Sequence, residues 1–157
     1  MLFLVVAKFF ILLSLGEAMT MKQIRNTGKM MRKQCQPKNN VEDEKIDPLG
    51  KGVFINEKEV KCYMACIMKM ANTIKNGKIN YEAAMKQADL LLPEDIKEPA
   101  KEALTSCRKV ADSHKDVCDA AFYISKCIYE YNPDIFYFPW SMAPIVFYVT
   151  SSWKNNI

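Results

Sequence analysis

Six cysteines constrain this chain more than any other feature of its sequence. Two of them, Cys62 and Cys66, lie in the stretch CYMACIMKMANT with three residues between them. A structural zinc site usually pairs two short Cys or His hooks, but the chain has one histidine and no second closely spaced pair. Thioredoxin-like chemistry needs a C-x-x-C motif beside a βαβ pattern, which is not found. An even cysteine count favours three disulfides and an oxidising compartment.

The spacing of Cys62 and Cys66 predicts that they do not pair with each other. On one helix their Cβ atoms would lie roughly 6 Å apart, too far for an unstrained bond. Each must therefore reach a different segment, so their helix joins two others. The remaining pairings stay open at this point, and each bridge should stabilise the fold by about 2–4 kcal/mol.

The chain divides into three parts. Residues 1–18, MLFLVVAKFFILLSLGEA, are predicted to be a secretory signal peptide, because the apolar run is short and ends in small residues. A membrane anchor is the alternative, but a spanning helix needs about 20 apolar residues, and Lys8 interrupts this run. Residues 19–140 form the predicted domain. Residues 141–157 are an extension that would cover a cavity, mediate association or reflect an erroneous gene model.

The domain is predicted to be all-α, with about six helices and no strand before its C-terminal region. One helix should be capped by Asn56 and end at Gly77. The next should be capped by Asn80 and end before Pro93, and the one after it should start near Pro99 or kink there. Other helices are predicted in the stretches MTMKQIRNTGKMMRKQC, VEDEKI and DVCDAAFYISKCIYEY.

Charge and motifs narrow the function classes. The net charge of +4 comes from Lys and Arg scattered among Asp and Glu, which argues against nucleic-acid binding and against a cationic host-defence protein. No H-E-x-x-H, G-x-S-x-G or phosphate-binding loop occurs, so we predict no enzymatic activity, metal or cofactor. His114 lies in a charged turn, and we interpret it as incidental rather than as a pH gate.

The cysteine pattern resembles that of the six-cysteine insect odorant-binding and pheromone-binding proteins. One Cys, then C-x₃-C on the third helix, then C-x₈-C after a long gap is typical of that family. The stretches MTM, CYMAC, MANT and FYFP resemble Lush-like members in particular. The resemblance implies six helices around an apolar cavity and the disulfides Cys35–Cys66, Cys62–Cys118 and Cys107–Cys127.

The resemblance also implies ligand contacts on the helices. Thr73 matches a threonine that hydrogen-bonds an alcohol in Lush-like members; the alternative is a bond from its hydroxyl to the carbonyl of Lys69. Met68 stands where those members have a second polar partner, which favours a more apolar ligand than a short alcohol. Flexible methionines suit such a pocket; the alternative, favoured for any single methionine, is that it fills the core. The methionine candidates are Met64, Met68, Met70 and Met85.

Aromatic residues complete the predicted ligand site. Phe136, Phe138 and Trp140 follow the last helix, where the family's chain often folds inward and closes the cavity. The alternative is that they pack on the outer helices. Phe122, on the last helix itself, is a further candidate.

These patterns predict a secreted, non-enzymatic carrier of small hydrophobic odorants or pheromones that delivers them to olfactory receptors. No nucleic acid and no stable membrane insertion is expected. The alternative is a secreted carrier of lipids or other small hydrophobic molecules outside olfaction, which the tissue of expression would distinguish.

Overall fold

The computed structural model describes residues 19–136, which form six α-helices, one short hairpin and two 3₁₀ turns. The all-α prediction is confirmed. The α-helices are α1 Met21–Asn39, α2 Asp43–Ile46, α3 Lys58–Met70, α4 Tyr81–Leu91, α5 Glu94–Asp112 and α6 Val117–Tyr131. Strands β1 Ile74–Lys75 and β2 Lys78–Ile79 lie between α3 and α4, and 3₁₀ turns cover Asp47–Lys51 and Pro133–Ile135. No helix among the described residues has the length and apolar character needed to cross a membrane.

Local capping explains where several helices begin. Gln23 donates its backbone N–H to the Thr20 hydroxyl (3.3 Å), and Thr20 donates its own N–H to the Gln23 side chain (2.7 Å), a capping box at the start of α1. The predicted cap at Asn80 is confirmed, because its side chain accepts from the N–H of Ala83 at 3.0 Å. Asp116 caps α6 by accepting from two backbone N–H groups.

The segment after α3 differs from the prediction. The predicted cap and end of this helix, Asn56 and Gly77, are wrong: α3 begins at Lys58 and ends at Met70. The prediction of no strand here is also wrong, since Ile74 pairs with Ile79 in an antiparallel hairpin. The cause is the Asn76–Gly77 pair, both at positive φ, which favours a tight hairpin turn over a continued helix.

The helix containing Pro99 does not start near that residue, and the alternative of a kink at Pro99 stays a prediction. Helix α5 begins at Glu94, one full turn before Pro99, and continues through it to Asp112. Glu94 and Asp95 occupy its first turn, where negative charge complements the helix dipole. Favourable residues before the proline thus extend the helix beyond the boundary that Pro99 alone suggested.

The core forms around α3, which packs against α1 and α6; α6 in turn packs against α5, and α5 against α4. Tyr63, Met64 and Ile67 on α3 are almost completely buried. Burying such side chains contributes about 1.5–3 kcal/mol each relative to exposure.

Three disulfides join these helices: Cys35–Cys66 links α1 to α3, Cys62–Cys118 links α3 to α6, and Cys107–Cys127 links α5 to α6. These are the three pairs that the family resemblance implies. Cys62 and Cys66 leave α3 toward different helices, as their spacing predicted. Helix α3 is therefore held covalently on two sides.

Gly52 tests how closely the first 3₁₀ turn packs on α6. It has φ of 79°, and a Cβ there would lie 2.3 Å from a ring carbon of Tyr129. We expect Gly52→Ala to lower the free energy of unfolding by about 1–2 kcal/mol, because a left-handed backbone and a steric overlap both oppose the methyl group. Urea denaturation of the oxidised protein measures this loss.

Gly77→Ala is the matched control for that substitution. Gly77 has a similar φ of 73°, but no atom lies within 4 Å of an added Cβ. The loss of unfolding free energy in Gly77→Ala should therefore reflect backbone strain alone and be smaller than the loss in Gly52→Ala. Equal losses in the two variants would show that the Tyr129 ring moves aside without cost.

Candidate ligand-binding cavity

A cavity of about 300 Å³ lies between the helices. Four α-helices present regularly spaced faces to it. Helix α1 contributes residues 24, 27, 28 and 31, and α4 contributes residues 84, 87, 88 and 91, both at the spacing of one helical face. Helix α5 contributes residues 96, 100 and 104, and α6 contributes residues 124 and 128. The end of α3, the hairpin and the residues after α6 complete the wall.

The described lining is almost entirely apolar. Its polar side chains are Thr27, Thr73 and Gln87, and none of its described members carries an ionisable side chain. A lining of this kind suits a ligand that is mostly hydrocarbon with few polar atoms. The volume lies at the lower end of the range for small-molecule pockets.

Thr73 lies at the cavity, but not on a helix. Its hydroxyl donates to the carbonyl of Met68 at 2.9 Å, and the Thr73 N–H donates to the same oxygen at 3.0 Å. The alternative bond to Lys69 considered from the sequence is therefore replaced by one to Met68, because α3 ends before Thr73. The Thr73 carbonyl accepts from the N–H of Asn80 at 2.8 Å, which holds the residue at the base of the hairpin.

Three of the predicted ligand residues line the cavity, namely Met68, Thr73 and Phe136. Phe136 is buried and packs edge-to-face against Tyr129, with ring centroids 5.3 Å apart, and against Phe54 at 5.9 Å. It thus joins the cavity wall to an aromatic cluster beneath it. Phe138 and Trp140 lie outside the described residues.

The other predicted ligand residues lie elsewhere. Met64 is fully buried in the core, one turn before Met68 on α3. Phe122 packs against Phe54 in the aromatic cluster (centroids 5.7 Å apart). Met70 lies beside the Cys35–Cys66 bridge, its sulfur 3.5 Å from the Cys35 sulfur, and Met85 is half-buried on α4 without lining the cavity.

Sequence reasoning missed the contributions of α1, α4 and α5. Gln87 is the clearest omission, since it lies on one face with Ala84, Ala88 and Leu91. A polar residue at an otherwise apolar helical position was the available signal. Met85 was chosen instead because of its residue type, although it lies two positions away and faces a different direction.

Marked electrostatic effects arise away from the cavity. Burial raises the pKa of the Tyr63 phenol in the core. A hydrogen bond from Lys45 lowers the pKa of Glu59 to about 2. His114 stacks on Tyr123, with ring centroids 4.3 Å apart, and does not line the cavity.

An all-α bundle with three interhelical disulfides and an apolar cavity between its helices is the architecture of a helical small-molecule-binding protein. Residues 17–131 match the PBP/GOBP family, and the chain belongs to that family. It is similar to general odorant-binding protein 72 of Anopheles gambiae, with 37% identity over 122 residues that span 78% of this chain and 100% of that protein.

Solved structures show the same likeness. Odorant binding protein 4 of Chrysopa pallens has 39% sequence identity and a TM-score of 0.70, covering 77% of this chain and 99% of that one. Odorant binding protein 5 of Apis mellifera has 31% identity and a TM-score of 0.73, covering 78% of this chain and 100% of that one. The family resemblance drawn from the cysteines is thus confirmed, while the narrower likeness to Lush-like members stays a prediction.

Proposed function

We propose that the protein is an extracellular carrier that binds small hydrophobic odorants or pheromones in its cavity and delivers them to olfactory receptors. Its relatives are named odorant-binding proteins, which supports the ligand class. The apolar cavity is the observation that carries the proposal, because removing apolar ligand surface from water supplies roughly 25 cal/mol per Å².

Secretion is the second part of this proposal. The apolar segment at residues 1–18 would serve as a signal peptide, leaving a domain of residues 19–140. Three disulfides suit an oxidising extracellular compartment. The role of residues 141–157 stays open between the possibilities that the sequence raised.

Filling the cavity tests the binding role. Ala88 is buried on α4 and lines the cavity, so Ala88→Phe would place an aromatic ring in the space that a ligand needs. We expect the Kd of an environment-sensitive hydrophobic dye to rise by at least about tenfold, because ligand and ring cannot occupy the same volume. Fluorescence titration of oxidised protein measures this change, with long-chain volatiles then used to displace the dye.

Ala83→Phe is the matched control. Ala83 lies on the same helix and is half-buried, but it does not line the cavity. Its dye affinity should stay close to that of the unaltered protein. Dye binding that is equally strong in Ala88→Phe would show that the dye binds elsewhere, and absence of dye binding to the unaltered protein would contradict the carrier role itself.

A further inference from the structure

We infer that Gln87 is the polar anchor of the cavity and selects ligands that carry a hydrogen-bond-accepting oxygen, such as aldehydes, ketones and esters. The inference rests on the proposed carrier function and adds to it a ligand class and the residue that determines it. Its basis is the position of one amide on an apolar wall.

The surroundings of Gln87 leave its amide without an internal partner. Gln87 is half-buried on the face of α4 that it shares with Ala84, Ala88 and Leu91. Its side chain makes no hydrogen bond to any residue within 19–136. A glutamine amide offers two N–H donors and one carbonyl acceptor. Water meets this capacity until a ligand displaces it, and a ligand without an acceptor would then leave the donors unpaired.

The two threonines of the lining offer fewer free hydrogen-bond donors to a ligand than Gln87 does. The Thr73 hydroxyl already donates to the Met68 carbonyl, so only its acceptor capacity remains for a ligand. Thr27 lies within α1, where a threonine hydroxyl can turn to the carbonyl four residues before it. Gln87 therefore has the largest unmet donor capacity among the described lining side chains. A carbonyl oxygen, which can only accept, is matched to it.

The charge of the lining sets the other limit on the ligand. Because none of the described lining side chains is ionisable, a protonated amine would lose its hydration without meeting an opposite charge. A neutral oxygen requires one hydrogen bond, which Gln87 supplies. The cavity is thus suited to neutral carbonyl compounds rather than to protonated amines.

A matched set of twelve-carbon ligands tests the inference: dodecane, dodecanal and dodecylamine. The variant is Gln87→Met, which keeps a similar side-chain length and removes the amide. We expect the Kd of dodecanal to rise about 3- to 10-fold, in line with the loss of one hydrogen bond, while the Kd of dodecane stays the same or falls. Dye displacement from oxidised protein measures all three affinities.

Gln34→Met provides the control, because Gln34 is exposed on α1, outside the cavity lining, and the chemical change is identical. Gln87→Glu is a second variant of nearly the same shape that lacks the donors. Gln87→Glu should also weaken the binding of dodecanal, and it should strengthen the binding of dodecylamine. Either variant tests the inference if the other fails to fold.

The outcomes separate the anchor from the carrier role. Suppose that the unaltered protein binds both dodecane and dodecanal, and that the ratio of their Kd values is the same in both Gln87 variants. That result would overturn the role of Gln87 as an anchor and leave the carrier role intact. Dodecylamine binding to unaltered protein as tightly as dodecanal would overturn the preference for a ligand with an accepting oxygen. Failure of unaltered protein to bind the dye and every ligand would overturn the carrier role and the anchor with it.

Discussion

Loss of the Cys62–Cys118 disulfide is expected to lower the free energy of unfolding by about 4 kcal/mol. The bond joins α3 to the start of α6 and spans 56 residues of sequence, the longest separation of the three bridges. In the chain-entropy account, a cross-link restricts the unfolded chain, and the restriction grows with the length of the closed loop. The variant Cys62→Ser/Cys118→Ser removes the bond without leaving a free thiol that could exchange.

The bridge Cys107–Cys127 supplies the matched comparison, since it spans 20 residues between α5 and α6. Cys107→Ser/Cys127→Ser should cost about 3 kcal/mol, less than the first variant, and loss of Cys35–Cys66 should fall between them. Urea denaturation of each oxidised protein gives the three values, after mass spectrometry has verified that the remaining cysteines are paired. An inverted order would show that native packing around each bridge outweighs loop length.

The cysteines made the architecture predictable because their spacing limits which segments can meet. Cys62 and Cys66 share a helix face, so α3 had to be joined to two different segments, and it is. The cap at Asn80 was also readable, because an asparagine side chain satisfies N–H groups of the first turn through local geometry alone. Features that are set by residues close together in the sequence could therefore be predicted.

The hairpin after α3 was readable in principle and was misread. An Asn–Gly pair signals a tight hairpin turn, but the two strands contain only two residues each and lack an alternating pattern of useful length. Gly77 was consequently interpreted as the end of a helix. The error moved Thr73 onto a helix, whereas its position in the turn is what directs its hydroxyl to Met68.

The division between core and cavity was not accessible from the sequence. Met64 and Met68 lie four residues apart on α3, and periodicity assigns both to one buried face. Met64 lies in the core away from the cavity, whereas Met68 lines it. Which of two buried residues borders a cavity depends on how several helices pack together, and the spacing of residues within one helix does not record that.

Replacement of Arg32 is expected to destabilise the protein by about 2–3 kcal/mol. The Arg32 side chain is only 8% exposed, and its guanidinium donates to Asp43 at 2.5 Å and to Asp47 at 2.7 Å. These charge-assisted bonds attach α1 to α2 and to the first 3₁₀ turn. Arg32→Met removes them and keeps much of the buried hydrocarbon stem. Lys33→Met is the control, since Lys33 is exposed and forms no ion pair among the described residues.

Removal of the acidic partners should lower the free energy of unfolding more than removal of the arginine does. Asp43 and Asp47 remain exposed and can be hydrated after Arg32→Met, whereas Asp43→Asn/Asp47→Asn removes both of these carboxylates from a guanidinium that stays buried. Urea denaturation at neutral pH should therefore rank the double variant below Arg32→Met in stability. The opposite order would contradict the burial argument.

Acid gives an independent measure of the same contacts. Hydrogen bonds from Gln36 and Arg32 hold the pKa of Asp43 below its usual value. A carboxylate whose pKa is lowered by folding contributes stability above its unfolded pKa, and that contribution is lost as the pH falls through the lower pKa of the folded state. Arg32→Met should reduce this loss, so its stability should decline less between neutral and acidic pH. A pH profile unchanged by Arg32→Met would show that Gln36 alone accounts for the lowered pKa.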